Sequence, residues 1–369
     1  MKKVLVIGGG IFGTMHAFFA LKNGYEVVQC DKDLIAQSAS IRNFGLIWVS
    51  GREAGPELEL AIRSRELWEE IGAQVGNIGY RSNGSLTVAV TKAEWQIVNE
   101  AANMMDAGLR GFTSLTKSQV LELEPNLNGN YFGALQCSLD AAIEPNLLFS
   151  GLRSKLLENP NYKWINNFEV LELVEEVNGV TAISSDGLEI TADEIYICIG
   201  AYHKGFLAPF LENAPIRRVR LQMGATEPLN FKINHSLADG DSFRYYPAFK
   251  DLSLSKLSEQ SPIAKEKAMQ LLAVQRFDGS FTIGDTHEYQ EPFEHEIFEA
   301  PYEHLQNVLA NILGRPAPRI QRRWEGIYSQ ITSYDIYFRE EIFPGVHVVT
   351  AGGGRGNTLA PAIAEESFK

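Results

Sequence analysis

Three glycines near the beginning of the sequence have the spacing that a dinucleotide-binding turn requires. Gly8, Gly10 and Gly13 directly follow the apolar run at residues 4–7, and apolar residues recur at helical spacing from Phe12 onward. In a strand–turn–helix unit, such glycines allow a tight turn, a close approach of the backbone to a pyrophosphate, and close packing of the helix on the sheet. The helix N-terminus then faces the anion. An ordinary structural turn is the alternative interpretation.

An acidic residue follows at the place where such a site binds ribose. Asp31 follows a second predicted strand at residues 25–30 and lies close to the ~20 residues expected between the glycine turn and the ribose-binding acid. A carboxylate here accepts a hydrogen bond from a ribose hydroxyl and disfavours the 2′-phosphate of NADP. The strand, turn, helix and acid together favour a dinucleotide site over a structural turn. They do not distinguish NAD from FAD.

Two further apolar runs indicate that the same sheet continues later in the chain. Residues 195–199 end at Gly200 and Ala201, and residues 346–350 lead into the glycines at 352–354. Short continuous apolar runs are typical of parallel strands buried on both faces. We therefore expect a parallel sheet that is assembled from separate parts of the sequence.

The segments between these runs indicate a different architecture. Patterns typical of antiparallel strands occur at residues 85–90, 243–249 and 281–283. Helix start and stop signals predict helices at residues 56–72 and 301–314, with capping boxes at Thr91/Glu94 and Thr116/Gln119. The sequence therefore predicts an α/β domain together with a second, α+β domain, both discontinuous.

The composition excludes several classes of function. The net charge of −13, from 33 basic and 46 acidic residues, would repel a nucleic-acid backbone. Three well-separated cysteines without a CxxC motif suggest buried thiols in a reducing compartment, here the cytoplasm. The seven histidines lack metal-ligand spacing, so no metal is expected. The apolar run at the N-terminus is too short for a signal peptide or a membrane span.

Three segments together carry a resemblance that covers most of the chain. They are the string VLVIGGGIFG at residues 4–13, TADEIYICIGAY at residues 191–202 and VTAGGGRGNTLAPAIAE at residues 350–366. Together they resemble the family of D-amino-acid oxidase, glycine oxidase and sarcosine oxidase. The resemblance implies a Rossmann-type FAD-binding domain at residues 1–80, 141–205 and 320–369. It also implies a glycine oxidase-like substrate domain with an antiparallel sheet at residues 81–140 and 206–319.

The resemblance also implies which residues contact the cofactor. The first string would hold the ADP half of FAD, and the last would place backbone N–H groups and a helix N-terminus beside the flavin ring, which is anionic when reduced. Covalent attachment in this family uses a cysteine or histidine near the flavin; the positions of these residues here imply non-covalent FAD. The implied contacts are Gly8, Gly10, Ile11, Phe12, Gly13, Asp31, Lys32, Ser38, Ser40, Arg42, Asn43, Phe44, Gly45, Val170, Gly200, Ala201, Gly353, Gly354, Arg355, Gly356, Asn357 and Thr358.

The expected substrate site departs from the family pattern. Glycine oxidase has a carboxylate-binding arginine after a Trp-x-Gly pair, whereas here Trp324 and Gly326 lead to Tyr328. A tyrosine hydroxyl cannot form the bidentate, charge-assisted pair that recognises a carboxylate. The run at residues 41–48, IRNFGLIW, is similar to a subgroup proposed to oxidise aminophosphonates related to 2-aminoethylphosphonate.

A phosphonate would need guanidinium or hydroxyl partners. The candidates for substrate contacts are Arg42, Arg244, Tyr246, Tyr328 and Arg355. Each has a plain alternative, because the arginines could form structural ion pairs and the tyrosines could be core aromatics with a bonded hydroxyl. A lone histidine, His287, is more often a packed or solvated group.

The resemblance predicts an enzyme that oxidises a small primary or secondary amine by hydride transfer to flavin N5, followed by hydrolysis of the imine. An aminophosphonate is the expected substrate, and glycine, sarcosine or a D-amino acid is the alternative. A nicotinamide-dependent dehydrogenase and a non-catalytic flavoprotein subunit are the rival functions. The electron acceptor, oxygen or another molecule, is left open because Thr282 stands where sarcosine oxidase has a lysine. The oligomeric state is also left open.

Overall fold

The computed structural model describes residues 1–177 and 179–369. The strands are β1 (Lys3–Ile7), β2 (Glu26–Cys30), β3 (Leu46–Ile47), β4 (Ser85–Ala89), β5 (Phe112–Thr116), β6 (Gly133–Cys137), β7 (Ala141–Ala142), β8 (Tyr162–Ile165), β9 (Val170–Glu176), β10 (Gly179–Ser184), β11 (Glu189–Ala192), β12 (Glu194–Ile197), β13 (Ile216–Thr226), β14 (Ser236–Ala238), β15 (Leu272–Gln275), β16 (Phe281–Gly284), β17 (Ile320–Ile331), β18 (Phe338–Phe343) and β19 (Val346–Thr350).

The helices fall between these strands and after the last one. They are α1 (Ile11–Lys22), α2 (Pro56–Val75), α3 (Lys92–Ala102), α4 (Ala107–Arg110), α5 (Lys117–Leu123), α6 (Pro145–Leu157), α7 (Ala208–Leu211), α8 (Ser242–Tyr245), α9 (Pro262–Glu266), α10 (Glu299–Leu313) and α11 (Gly356–Glu366). Short 3₁₀ turns occur at Gly205–Leu207, Pro247–Phe249, Leu254–Lys256 and Gly353–Arg355.

The parallel sheet has the strand order β18-β19-β12-β1-β2-β8. Its strands β8, β2, β1, β12 and β19 run parallel, and β18 closes one edge in the antiparallel direction. On β1, Val4 and Val6 face the core that includes α1, while Leu5 and Ile7 face a second core beneath the sheet. Burial on both faces explains why this strand is apolar throughout.

The carboxyl ends of four strands meet at one edge of this sheet. Gly8 follows β1, Asp31 follows β2, Gly200 lies just beyond β12, and Gly352 follows β19. In open sheets with parallel strands, ligands bind outside this edge. The β-α-β unit predicted from the glycine spacing is therefore confirmed, and the two distant apolar runs join it as β12 and β19.

A larger, mostly antiparallel sheet has the strand order β17-β13-β16-β15-β14-β4-β6-β5. Alternating residues of β15 face two different cores: Leu272 packs with Tyr246 and Tyr328, whereas Ala273 packs on the opposite side with Leu305 of α10. Helix α10 therefore covers the outer face of the sheet, and the inner face is left to form a wall of the functional site.

Most sequence-based elements are present, with one clear error. Both predicted capping boxes form, at Thr91 and at Thr116. The predicted strand at residues 243–249 is wrong, because α8 and a 3₁₀ turn occupy this segment. The alternation of aromatic residues resembled a strand, but Pro247 has no N–H to donate to a sheet. The division into two discontinuous domains stays a prediction. Strand β17 lies in the segment 320–369, which the resemblance assigns to the FAD-binding domain, but it pairs with β13 in the larger sheet.

The fit of α1 on β1 gives the first test. A Cβ on Gly13 would lie 2.1 Å from the Gly8 carbonyl oxygen and 3.3 Å from Val6 Cγ1, so we expect Gly13→Ala to lower the free energy of unfolding by about 1–3 kcal/mol. Gly108→Ala is the matched control, because its Cβ would meet open space. Urea unfolding of both variants measures the difference, and equal stability would contradict the packing described here.

Candidate active site

One large cavity joins the two ends of the chain. Its volume is about 1110 Å³, and its lining includes Gly8 and Gly10 at one end of the sequence and residues 352–358 at the other. Pockets for single small ligands usually measure about 300–1,000 Å³. The cavity is therefore large enough for an extended cofactor together with a small substrate.

The first glycine turn forms a cradle for a phosphate group. Gly8 has φ +123°, and a Cβ there would lie 2.4 Å from the Cys198 carbonyl oxygen. The Ile11 N–H at the start of α1 donates to Ser40 Oγ over 3.0 Å, which brings the loop after β2 against the helix N-terminus. A Cβ on Gly10 would lie 3.0 Å from the same Ser40 oxygen. The backbone and the helix N-terminus can thus approach a pyrophosphate closely.

Asp31 is positioned to hold a ribose. Its Oδ2 accepts from the Gly9 N–H over 2.5 Å, and its Oδ1 accepts from the Asp33 N–H over 2.8 Å. Burial raises the pKa of Asp31. Each carboxylate oxygen keeps a second lone pair for a ribose hydroxyl. Lys32 and Val170 line the same end of the cavity, so the residues present fit an adenosine group.

The loop after β2 is tied to the start of α11. Asn43 Oδ1 accepts from the Gly45 N–H over 2.7 Å and from Asn357 Nδ2 over 3.0 Å. The Trp48 N–H donates to Thr358 Oγ1 over 2.9 Å. These bonds hold the wall formed by residues 38–48 against the last glycine turn, where the flavin ring is expected.

The last glycine turn lies against both α1 and the larger sheet. A Cβ on Gly352 would lie 2.6 Å from Cζ of Phe12, so only glycine permits this approach. On the other side, a Cβ on Gly354 would lie 3.6 Å from the Tyr328 hydroxyl. Tyr328 therefore marks the point where the expected flavin end of the cavity meets the substrate end.

A buried carboxylate pairs with two arginines beside this turn. Glu57 Oε1 lies 2.6 Å from Arg355 Nη1 and 3.2 Å from Arg52 Nη1. Burial alone would raise the pKa of Glu57, but the two guanidinium groups overcome this effect and hold it below its ordinary value. Arg355 also donates from Nε to Gly352 O and from Nη2 to Ile336 O. All three nitrogens of Arg355 are thus bonded within the protein, and the side chain braces the glycine turn.

Arg52 is a candidate that sequence analysis missed. Its side chain is almost fully buried, it lines the cavity, and Nε has no partner among the described residues. Its guanidinium lies 5.4 Å from the centre of the Tyr246 ring. Nothing in the sequence separates Arg52 from an ordinary surface arginine, because its burial depends on α2 and on residues almost two hundred positions away.

The other two predicted arginines lie nearer to solvent. Arg42 is exposed and donates to backbone oxygens of Gln37 and Glu325. Arg244 pairs with Asp241 over 3.2 Å and also donates to a backbone oxygen. Both line the cavity, so their assignment as substrate residues stays a prediction.

Polar aromatic residues form the substrate end. Gln270 Nε2 donates to the Tyr246 hydroxyl over 3.3 Å, and the Tyr245 hydroxyl bonds to His287 Nε2 over 2.7 Å. The Tyr328 hydroxyl is buried without a partner among the described residues, and burial raises the pKa of Tyr328. This end therefore offers hydroxyl groups that are largely buried.

The structure brings nearly all predicted site residues to this cavity. Two do not line it: Gly13 packs α1 on β1, and Gly45 lies against the Ile143 carbonyl. The lining residues that the sequence analysis did not propose as contacts include Arg52, Tyr245, Gln270, Asp285 and His287. Asp285 directly follows β16, which the pattern at residues 281–283 predicted. Its position at the end of a strand could have suggested a role in the site.

Comparison with known proteins decides between the two possible dinucleotides. Residues 3–367 match the DAO family, described as FAD dependent oxidoreductase. The chain belongs to this family. Its cofactor is therefore FAD, which the phosphate cradle, Asp31 and the last glycine turn fit, and NAD is excluded as the resident cofactor. When bound, FAD supplies a two-electron acceptor at N5 of its ring.

Individual relatives within the DAO family are distant. The chain is 24% identical over 234 residues to a subunit of opine oxidase from Rhizobium meliloti, covering 60% of this chain and 62% of that protein. It is 23% identical over 231 residues to glycine oxidase of Pseudomonas putida, covering 60% and 61%. The chain thus matches less than two thirds of the length of these relatives. The crystal structure of glycine oxidase from Bacillus cereus shares the fold, with a TM-score of 0.80, 20% identity, and coverage of 100% of this chain and 94% of that one.

The described part of the chain has neither a metal-binding cluster nor a membrane-spanning helix. Among residues 1–177 and 179–369, no three or more His, Cys, Asp or Glu side chains are grouped as a metal site. In the same residues, no helix combines the length and apolar composition needed to cross a membrane.

The carboxylate shared by two arginines gives a stability prediction. Glu57→Gln leaves Arg52 and Arg355 buried without their counter-charge, and we expect it to lower the free energy of unfolding by about 3–5 kcal/mol at pH 7. Because the folded protein lowers the pKa of Glu57, this stabilisation is present above the unfolded pKa of about 4.3 and is lost as the pH falls through the folded pKa. Urea unfolding at stepped pH measures it, with exposed Glu59→Gln as control. A loss equal to that of the control would contradict the pairing.

Non-covalent binding of FAD stays a prediction with a structural reason. Cys198 is the cysteine that lines the cavity in the described residues, and its burial raises its pKa, so little of the nucleophilic thiolate forms. Both ring nitrogens of His287, the histidine in this lining, are bonded within the protein. We expect acid precipitation to release all flavin into the supernatant. Flavin that stays in the washed pellet would show a covalent bond.

Proposed function

We propose that the protein oxidises a small amine that carries an anionic group. FAD held by the two glycine turns and Asp31 would supply the acceptor, at N5, for hydride from the carbon next to nitrogen, and the resulting imine would hydrolyse to a carbonyl compound and an amine or ammonia. The observation that carries the proposal is the shape of the cavity, which continues from the last glycine turn into an enclosure lined by Tyr246, Tyr328 and Arg52. A substrate held there would lie beside the expected flavin ring.

The side chains of this enclosure exclude water and orient the substrate. Tyr246 and Tyr328 are each less than one tenth exposed, and the rings of Trp48 and Tyr246 lie 6.1 Å apart. Such walls restrict a small amine to few orientations, which lowers the entropic part of the barrier. The exclusion of bulk water also strengthens the charge interactions inside the site.

We propose an aminophosphonate, such as 2-aminoethylphosphonate or its N-methyl form, as the substrate. Arg52 and Arg355 share the single carboxylate of Glu57, so this group carries one uncompensated positive charge. Arg52 lines the cavity, and a guanidinium group provides N–H donors of the kind that phosphonate oxygens bind well. Arg42 adds positive charge nearer to solvent, and Arg244, which pairs with Asp241, also lines the cavity. Three free, buried cysteines support a reducing location, the cytoplasm.

Oxidation of glycine, sarcosine or a D-amino acid is the second candidate. It is favoured by the similarity to a protein named glycine oxidase. Against it stands Tyr328, which occupies the place of the carboxylate-binding arginine in the glycine oxidase pattern. A third possibility, a flavoprotein that acts only as one subunit of a larger enzyme, is favoured by the similarity to a protein named as a subunit of opine oxidase.

Anaerobic bleaching of the bound flavin tests these alternatives. We expect 2-aminoethylphosphonate or its N-methyl form to bleach the flavin faster than glycine, sarcosine or D-amino acids at equal concentration. Turnover by the isolated chain with oxygen or a dye would exclude the non-catalytic subunit. Faster bleaching by glycine or sarcosine would contradict the aminophosphonate as substrate and support the second candidate.

The role of Arg52 can be tested in the same assay. We expect Arg52→Ala to raise KM for the anionic amine about 10- to 100-fold, the effect of losing a hydrogen bond to a charged group, while the flavin content stays unchanged. Arg322→Ala is the control, because Arg322 pairs with Asp278 on the surface. An unchanged KM in Arg52→Ala would remove this residue from substrate binding.

A further inference from the structure

The substrate end of the cavity contains a buried acid, and among the described residues no cationic side chain lies within hydrogen-bond distance of it. Asp285 directly follows β16, lines the cavity and is 5% exposed. Its Oδ1 is buried without a hydrogen-bond partner in the part of the chain that the structure describes. An isolated carboxylate of this kind is costly unless something donates to it. The missing donor therefore points to a ligand.

The nearest histidine cannot supply that donor. His287 Nε2 lies 3.8 Å from Asp285 Oδ2, which is beyond hydrogen-bond distance. His287 Nδ1 lies 2.9 Å from the Ala268 carbonyl oxygen, and a carbonyl can only accept. A neutral imidazole has one N–H, so Nδ1 carries it and Nε2 accepts from the Tyr245 hydroxyl over 2.7 Å.

The other groups around Asp285 are chiefly aromatic hydroxyls. Burial is the main effect that raises the pKa values of Tyr245, Tyr246, Tyr289 and Tyr328. The nearby Asp285 carboxylate raises them further. The Arg52 guanidinium lies 5.4 Å from the centre of the Tyr246 ring, and the Arg217 guanidinium lies 4.1 Å from the centre of the Tyr289 ring. Among the described residues, the titratable and charged groups near the acid or these rings include His287, Tyr245, Tyr246, Tyr289, Tyr328, Arg52, Arg217 and Asp140.

Arg52 and Asp285 are both linked to Tyr246, Arg52 by contact with its ring and Asp285 through Gln270. The Arg52 guanidinium lies against the ring of Tyr246, whose hydroxyl accepts from Gln270 Nε2 over 3.3 Å. The backbone oxygen of Gln270 in turn accepts from the Asp285 N–H over 3.1 Å. A molecule with an anion at one end and an ammonium group at the other matches this arrangement. Tyrosine rings also stabilise ammonium groups through their π faces.

We propose, on the basis of the proposed amine oxidation, that Asp285 binds the substrate's ammonium group and takes its proton. The N–H bond breaks, its electron pair stays on nitrogen as a lone pair, and the proton goes to the Asp285 carboxylate, which lines the cavity. The neutral amine formed in this way can release hydride from the adjacent carbon, which an ammonium ion cannot do. The substrate class is a primary or secondary alkylammonium that carries an anionic group at its other end.

The environment of the acid suits this task. Burial raises the pKa of Asp285, against a smaller opposing effect of His287, so its pKa lies closer to that of an amine and the proton transfer is less uphill. Flavin reduction should therefore increase with pH as the complex loses its proton, with an apparent pKa below that of the free ammonium substrate.

The test compares wild-type holoenzyme with Asp285→Asn, Asp285→Glu and the control Asp186→Asn, whose side chain is exposed in the turn between β10 and β11. Calorimetry measures binding of tert-butylamine, whose carbon next to nitrogen has no hydrogen to lose, and of ethylphosphonate, which has no amine. We expect Asp285→Asn to weaken tert-butylamine binding at least about 30-fold, the effect of removing one partner of a buried charge pair. Ethylphosphonate binding should stay unchanged, Asp285→Glu should restore part of the loss, and Asp186→Asn should match wild type.

Stopped-flow flavin reduction by 2-aminoethylphosphonate provides the second readout. In Asp285→Asn, the apparent pKa of reduction should move up to that of the free ammonium group. Unchanged tert-butylamine binding together with an unchanged pH profile, in a variant with a normal flavin spectrum, would overturn the proposal while leaving the proposed function intact. If no amine bleaches the wild-type flavin but tert-butylamine binding depends on Asp285, the proposed function fails and the ammonium site stands.

Discussion

The close packing of the first helix on the last is the contact on which the site depends. Met15 of α1 and Leu359 of α11 share one core, and Gly352 lets the Phe12 ring approach the turn before α11. Gly13 in turn lets α1 lie close to β1. Because these contacts bring the two glycine turns to one edge of the parallel sheet, a single molecule can span both. If the ends of the chain lay apart, the glycine turns would be separate small features without a common ligand.

Charge balance links this architecture to the chemistry. Glu57, near the start of α2, compensates one of the two arginines beside the last glycine turn and leaves the pair with a net positive charge. At the substrate end, Asp285 places an acid that lies beyond hydrogen-bond distance of His287. Charges that are shielded from bulk water act more strongly on each other. The ligand proposed for this site is correspondingly zwitterionic, even though the chain as a whole has a net charge of −13.

The sequence predicts the parts of the site that depend on local backbone geometry. Gly8 and its neighbours, with Asp31 at the end of β2, are recognisable because turn, helix and acid follow one another within one β-α-β unit. Arg52 and Asp285 could not be identified in this way, since their burial comes from segments far away in the chain. The segment 243–249 was misassigned for a similar reason: alternating aromatic residues are equally suited to a strand and to a turn that directs its rings into a cavity.

The central claim is that one FAD molecule spans both glycine turns, and a crystal structure of the protein with its bound cofactor tests it most directly. The account predicts continuous electron density with adenine beside Val170, the pyrophosphate at Gly8 and Gly10, and the isoalloxazine ring against residues 353–358. Density for a flavin that contacts one turn only, or an isoalloxazine ring placed at the Val170 end, would contradict it.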